Sequence, residues 1–344
     1  MNDLKKFIKG IPSFIWALLG ILFILICFLP FLLTRHGFIS FSETGQIGDT
    51  IGGIMGPFIA IIAALLTFIA FWVQFEANRE LIKENRRNHF ENQFYKMLDI
   101  HLTNVSSLNS IFAKTEGEKE SAFFVFCEEI KGTFLNISKS EVFYPFLERL
   151  IREYESEQDK GFILFVNRVL ESEELQQKVL YEIVFAFFLE EDFSRIWFEN
   201  HECSIYVRRL GWLYHSFLSG SYLRLTGKAK SEYLGHYFRH LFQTVEYIDS
   251  QDDELFDEKR WKHKFINLLR SQMSDYEQLL LYYNAQSSLG SIWDENHFIE
   301  KYHLIENIPY DEIGTCAGES PAHRYNTEIQ AAKKRGEYFF EKSR

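Results

Sequence analysis

Short polar segments separate two long uncharged stretches at the start of the chain. Residues 11–33 carry no charged side chain over 23 positions, and residues 50–75 carry none over 26. About 20 apolar residues cross a bilayer as a helix, so both stretches read as membrane spans. The first is too long for a signal-peptide core, and Pro30-Phe31-Leu32-Leu33-Thr34-Arg35 offers no small-residue cleavage site. From Glu76 the pattern turns amphipathic. Leu81, Ile82, Phe90, Phe94, Met97, Leu98 and Val105 recur at helical spacing, which predicts that the second span continues as a helix to about Leu108. The polar residues 115–120 read as a linker. Beyond them, helical patterns cover 121–131, 141–157, 172–190, 204–225, 230–249, 257–287 and 295–306, and no run alternates strictly enough for a strand. Residues 181–189 are strongly apolar but too short to span a bilayer, and read as a core helix.

The expected fold is therefore all-α. A two-helix transmembrane hairpin occupies 1–77, with spans at about 11–33 and 50–75, and a multi-helix cytoplasmic domain follows over 78–308. Gly314, Gly318, Pro321 and the basic Lys333-Lys334-Arg335 mark 309–344 as a loosely ordered tail.

The segment from Gly45 to Pro57 is rich in glycine, which raises the question of a phosphate loop. No Gly-Lys-Ser/Thr follows it, the G-x-G-x-x-G spacing is absent, and a membrane helix rather than a strand adjoins it. The small residues fall instead at Gly48, Gly52, Gly56, Ala60 and Ala64, one strip on a helix face of the kind that lets membrane helices approach closely. That strip fits packing against the first span first, then self-association of two copies into a homo-oligomer, and last a permeation path, which no ionisable residue in either span marks. Pro57 predicts a kink over 53–57, and Asp49 is a candidate cap for the helix start.

Charge adds an orientation. Lys5, Lys6 and Lys9 precede the first span, Arg79, Lys83, Arg86 and Arg87 follow the second, and only Arg35 lies between them. Basic residues stay on the cytoplasmic side, so both termini are expected there in a multi-pass protein whose first partner is the lipid bilayer. Nine Lys/Arg against eight Asp/Glu give the first 100 residues a balance of +1, so the net charge of −11 leaves −12 for 101–344. A surface of that sign disfavours nucleic acid as a partner. The 35 Phe and 17 Tyr supply a strongly aromatic core. Four cysteines, none at CxxC spacing, read as unpaired cytosolic thiols.

Candidate chemistry is sparse. His236 and His240 lie one helical turn apart and could share a metal, but no third ligand or HExxH context accompanies them, and a polar helix edge explains them better. Arg195–His201, Arg208–His215 and Arg209–His215 fit the Arg-then-His spacing of the HEPN ribonucleases, at a frequency that chance alone supplies. A membrane-tethered HEPN-like ribonuclease is thus the alternative to a non-enzymatic reading. No sequence signature calls for a cofactor.

A resemblance then organises the chain. Gly48-Asp49, Gly52-Gly53 and Pro57 enter the second span, and Gln74 leaves it. Phe90-Glu91, Phe94-Tyr95, Leu98 and His101 follow on the emerging helix. Tyr237-Phe238-Arg239-His240-Leu241, then Leu269 to Ser274 with Gln272, then Glu277 and Leu279 to Asn284 complete the set. In order and spacing these resemble the phage abortive infection proteins of the AbiC type, over roughly residues 45–290. The resemblance implies phage defence in bacteria: such proteins block production of new phage after infection has begun, often with loss of the infected cell. The leading expectation for this chain is a membrane protein whose cytoplasmic domain recognises a phage protein or other infection-derived trigger. The resemblance implies no catalytic residue, cofactor or known ligand.

Overall fold

The computed structural model describes residues 17, 20, 21, 24, 28, 44–112, 120–137, 140–154, 160–189, 196–198, 200–218, 230–314, 317–336 and 338–341. Among these residues the fold is all-helical, with a bridge between Phe198 and Asn200 and no strand. The chain divides into two compact units, Met1–Asn88 and His89–Arg344.

Helix α1 runs from Thr44 to Phe112, 69 residues, with Pro57 inside it. Asp49 therefore lies within the helix instead of capping it, and Gly48 is helical too. Among the described residues, Gly56–Phe112 is the one helix long and apolar enough to cross a membrane, and none of its most apolar window is buried. Ile59, Ile61, Leu66, Phe68, Phe71, Trp72 and Phe75 are all exposed. A helix that is apolar on every face and uncovered by protein suits lipid. Thr67, polar within this stretch, donates its hydroxyl to the Ala63 carbonyl at 2.8 Å, as a side chain without water must. The first predicted span, 11–33, lies outside the described residues except at Ala17, Gly20, Ile21, Ile24 and Phe28, so the structure supports one span and not the predicted pair.

The second unit begins where α1 becomes half-buried. Phe90, Phe94, His101 and Leu108 are buried, with Leu98, Val105 and Phe112 packed against the core, a stripe with steps of three and four residues. Phe90 is the centre of an aromatic nest, its ring 4.9 Å from Phe265, 5.1 Å from Trp261, 5.4 Å from Tyr247 and 5.7 Å from Phe256. Burying such a ring contributes about 1.5–3 kcal/mol.

The remaining helices are α2 (Ala122–Ile137), α3 (Ser140–Glu153), α4 (Lys160–Glu171), α5 (Glu173–Leu189), α6 (His201–Leu218), α7 (Lys230–Asp249), α8 (Trp261–Arg270) and α9 (Asp275–Gln286). Short ones follow: α10 (Ile292–Glu295), α11 (Phe298–Tyr302), α12 (Tyr310–Gly314), α13 (Pro321–Arg324) and α14 (Asn326–Lys334). Two helices are buried on all sides and form the middle of the unit. In α5 every residue from Val179 to Leu189 is buried, as expected for a core helix, and in α9 every residue from Glu277 to Ala285 is. Helix α2 packs against both. The Tyr181 hydroxyl on α5 donates to the Tyr283 carbonyl on α9 at 2.7 Å.

Three expectations need correction. The pattern over 257–287 is two helices, because Ser274 and Glu277 form a reciprocal capping box that starts α9 afresh. Helix α4 adds to the predicted set, burying Phe162, Phe165, Val166 and Val169 at helical spacing. Where a loosely ordered tail was expected over 309–344, the described residues there hold α12 to α14 and bury Ala317, Tyr325, Ala332, Phe339 and Phe340. Their glycines and proline end and start short helices. Gly318 has φ +78, and a Cβ there would sit 2.6 Å from the Gln286 side chain, so only glycine fits.

Candidate functional site

The motif residues that lie farthest apart in sequence converge in the interior. His101 comes from α1, Tyr237 and His240 from α7, and Glu277 from the first turn of α9. His101 is 0% exposed and Glu277 3%. Each oxygen of Glu277 has a task. Oε2 accepts from the Ser274 backbone N–H at 2.9 Å, holding the start of α9, and Oε1 accepts from the Tyr237 hydroxyl at 3.2 Å. The same Oε1 lies 3.5 Å from His101 Nε2. That distance is within ion-pair reach, yet neither ring nitrogen of His101 makes a hydrogen bond, and neither does either nitrogen of His240. The contact is thus electrostatic and lacks hydrogen-bond alignment.

Electrostatics in this pocket follow from burial. The Tyr237 hydroxyl is pushed far above the usual phenol range, first by desolvation and then by the neighbouring Glu277 carboxylate. Burial, helped by His101, lowers the pKa of His240 and favours its neutral ring. Cys127 on α2 is likewise held as a thiol by desolvation, and its Sγ lies 3.5 Å from the Tyr276 carbonyl. A protonated thiol of this kind is inert.

The other motif residues are scattered. Phe238 is buried, its ring 5.4 Å from that of Tyr237, whereas Arg239 and Gln272 are exposed and Glu91 is half-buried. Asn284 is buried, and its carbonyl accepts from Ser287 at 2.8 Å and stands so close to Gly290 that a Cβ there would approach it to 2.2 Å. Asp49 and Pro57 are exposed on α1. In the small-residue strip, Gly52, Gly56, Ala60 and Ala64 are exposed, and a Cβ added at Gly52 or Gly56 meets no described atom within 4 Å.

The candidate nuclease residues do not assemble. Arg208 donates from Nε to the Ile196 carbonyl at 2.8 Å, and the Arg209 guanidinium lies 4.4 Å from the Phe162 ring centre and 5.1 Å from that of Tyr154. His215 stacks on Phe187 at 5.4 Å. Arg195 lies outside the described residues. The side chains of Arg208, Arg209 and His215 each have a different contact on or around α6. His236 is exposed and His240 half-buried, and among the described residues no group of three or more His, Cys, Asp or Glu could hold a metal ion.

One surface feature escapes a reading based on overall charge. A cleft of about 1040 Å³ lies beside the start of α8 and is lined by six Lys/Arg against three Glu. The signal was local: Lys259-Arg260-Trp261-Lys262-His263-Lys264 is basic at four of six positions, inside a chain of net charge −11.

Residues 229–313, from the start of α7 to α12, match a family described as putative phage abortive infection protein. They hold Tyr237, His240 and Glu277, so the AbiC-type resemblance read from the sequence holds across this segment. No curated protein and no solved structure matches the chain.

Proposed function

From the abortive infection family that residues 229–313 match, we propose that this chain is a membrane-anchored phage defence protein of bacteria. Its cytoplasmic domain binds an infection-derived product and thereby stops production of new phage. The observation that carries this reading is the overlap between that match and the buried cluster. Tyr237 and Glu277 lie inside the matched segment, and both reach His101 on α1, the helix whose earlier turns are apolar and uncovered. A shift of α7 or α9 on binding is therefore felt directly by α1. The membrane in this reading is the bacterial cell membrane, crossed twice, with both termini in the cytoplasm, an orientation that the basic residues at 5–9 and 79–87 favour.

The nuclease alternative draws no support from the geometry, since Arg208, Arg209 and His215 are tied to separate neighbours. The test is to express the full chain in a bacterial host and compare plaque counts with an empty vector, alongside reporter fusions at residue 40 and at the C terminus. Protection, with the two reporters in opposite compartments, supports the reading. Undiminished plaques across a diverse phage panel, or an extracytoplasmic C terminus, overturn it.

A further inference from the structure

We propose that the cleft beside the start of α8 is a binding site for a small soluble polyphosphate, with a nucleoside triphosphate as the form that fits it best. Its cations are Lys259, Arg260, Lys264, Arg270, Lys301 and Arg335, and its acids are Glu258, Glu300 and Glu306. The acids are largely spent. Glu258 pairs with Lys264 at 3.0 Å and Glu306 with Arg270 at 2.7 Å. Burial pushes the Glu300 carboxyl above the usual carboxylate range, which weakens the one acid left. Lys301 is engaged outside the cleft by Asp249. Lys259 and Arg260 remain: both are exposed, and neither side chain makes an ion pair or hydrogen bond among the described residues.

The backbone adds to the same polarity. Arg260 is the residue before α8, a helix of 10 residues whose N-terminus no side chain caps. Arg260 and His263, on either side of that helix start, both line the cleft, so the positive end of the helix dipole lies beside its unpaired cations. Arg260, which lines the cleft, holds a left-handed conformation, φ 67, which is costly for a residue with a Cβ. Tyr338, exposed on the rim, offers a ring face to a base.

Size and surroundings favour a small ligand over a polymer. The volume of about 1040 Å³ is of the order of small-molecule sites, roughly 300–1,000 Å³. Outside the cleft, residues 101–344 are strongly acidic, so the flanking phosphates of a nucleic acid would be repelled. This inference goes beyond the defence reading and does not depend on it, because binding is measured without phage.

The test is calorimetric titration of the full chain in zwitterionic lipid nanodiscs with ATP, inorganic pyrophosphate, adenosine and a short single-stranded RNA. A Lys259→Ala, Arg260→Gly double variant is titrated in parallel; glycine accepts the left-handed backbone, so the variant removes charge without straining the fold. The expected result is that ATP binds, adenosine does not, added salt weakens binding, and the double variant binds about tenfold more weakly or worse at an unchanged melting temperature. Pyrophosphate bound as tightly as ATP assigns recognition to the phosphates alone; weaker binding adds the base. The proposal is overturned if neither ATP nor pyrophosphate binds at about 1 mM. It is also overturned if the double variant binds ATP like the wild type, or if the RNA binds far more tightly than ATP.

Discussion

His101 on α1 and Glu277 on α9 face each other at 3.5 Å in the protein interior, with the Tyr237 hydroxyl bonded to the same carboxylate oxygen. Three helices thus meet at one acidic side chain that also caps its own helix. Glu277→Ala removes a cap partner and leaves the Tyr237 hydroxyl buried without an acceptor. The expected cost is about 2–4 kcal/mol, a cap interaction plus an unsatisfied polar group. Glu277→Gln keeps an oxygen for either the cap or Tyr237 and should cost less. Urea unfolding of the two variants measures the difference, and equal stability for Glu277→Ala and wild type would show that the cluster holds nothing together.

Glu182 on α5 makes stability depend on pH. Its carboxylate accepts from the Ser288 backbone N–H at 2.6 Å and from the Ser288 hydroxyl at 2.9 Å, yet burial outweighs both and raises its pKa to about 7. A raised folded pKa means that the folded state holds the proton more tightly than the unfolded chain. The stabilisation is complete below the unfolded value and is lost as pH rises from about 4.5 through about 7, a loss of order 3 kcal/mol. Glu182→Gln should flatten that part of the curve and be the more stable protein at pH 8. Melting temperatures of both proteins from pH 5 to pH 8 check this, and parallel curves would contradict it.

The helical class, the core helix at 181–189 and the continuation of the second span as α1 were legible in the sequence because each rests on a strong local pattern. An unbroken apolar run or a stripe at steps of three and four needs no tertiary information. The break at Ser274 was missed, although Ser-Asp-Tyr-Glu carries the capping-box pattern in the sequence. What the pattern hid was set by distant contacts. Phe339 and Phe340 look like isolated aromatics at a polar end, and only the stacking of Phe339 on Tyr325, with ring centres 5.5 Å apart, makes them core. His101 is a lone histidine until α7 and α9 are folded against it. The basic cleft was hidden for a different reason: net charge averages over the whole surface, whereas a ligand meets only the residues around it.

A Cβ added at Gly52 or Gly56 on α1 meets no described atom within 4 Å, which leaves this face open to a neighbouring helix. Leucine at Gly52 and Gly56 keeps the helix apolar and should leave membrane insertion intact while holding any neighbouring helix away. The double variant is expected to reach the membrane at normal level and lose phage protection. Ile54→Leu and Phe58→Leu, mostly off the strip, should protect as wild type does. Full protection by the double glycine variant would reduce the strip to ordinary membrane sequence.

The account turns on phage production being stopped inside an infected cell. A one-step growth curve reads that directly, by counting phage adsorbed and phage released per infected cell with and without the full-length chain. The account predicts normal adsorption and a sharply reduced burst; a burst equal to that of cells lacking the chain, with the protein present in their membranes, would contradict it.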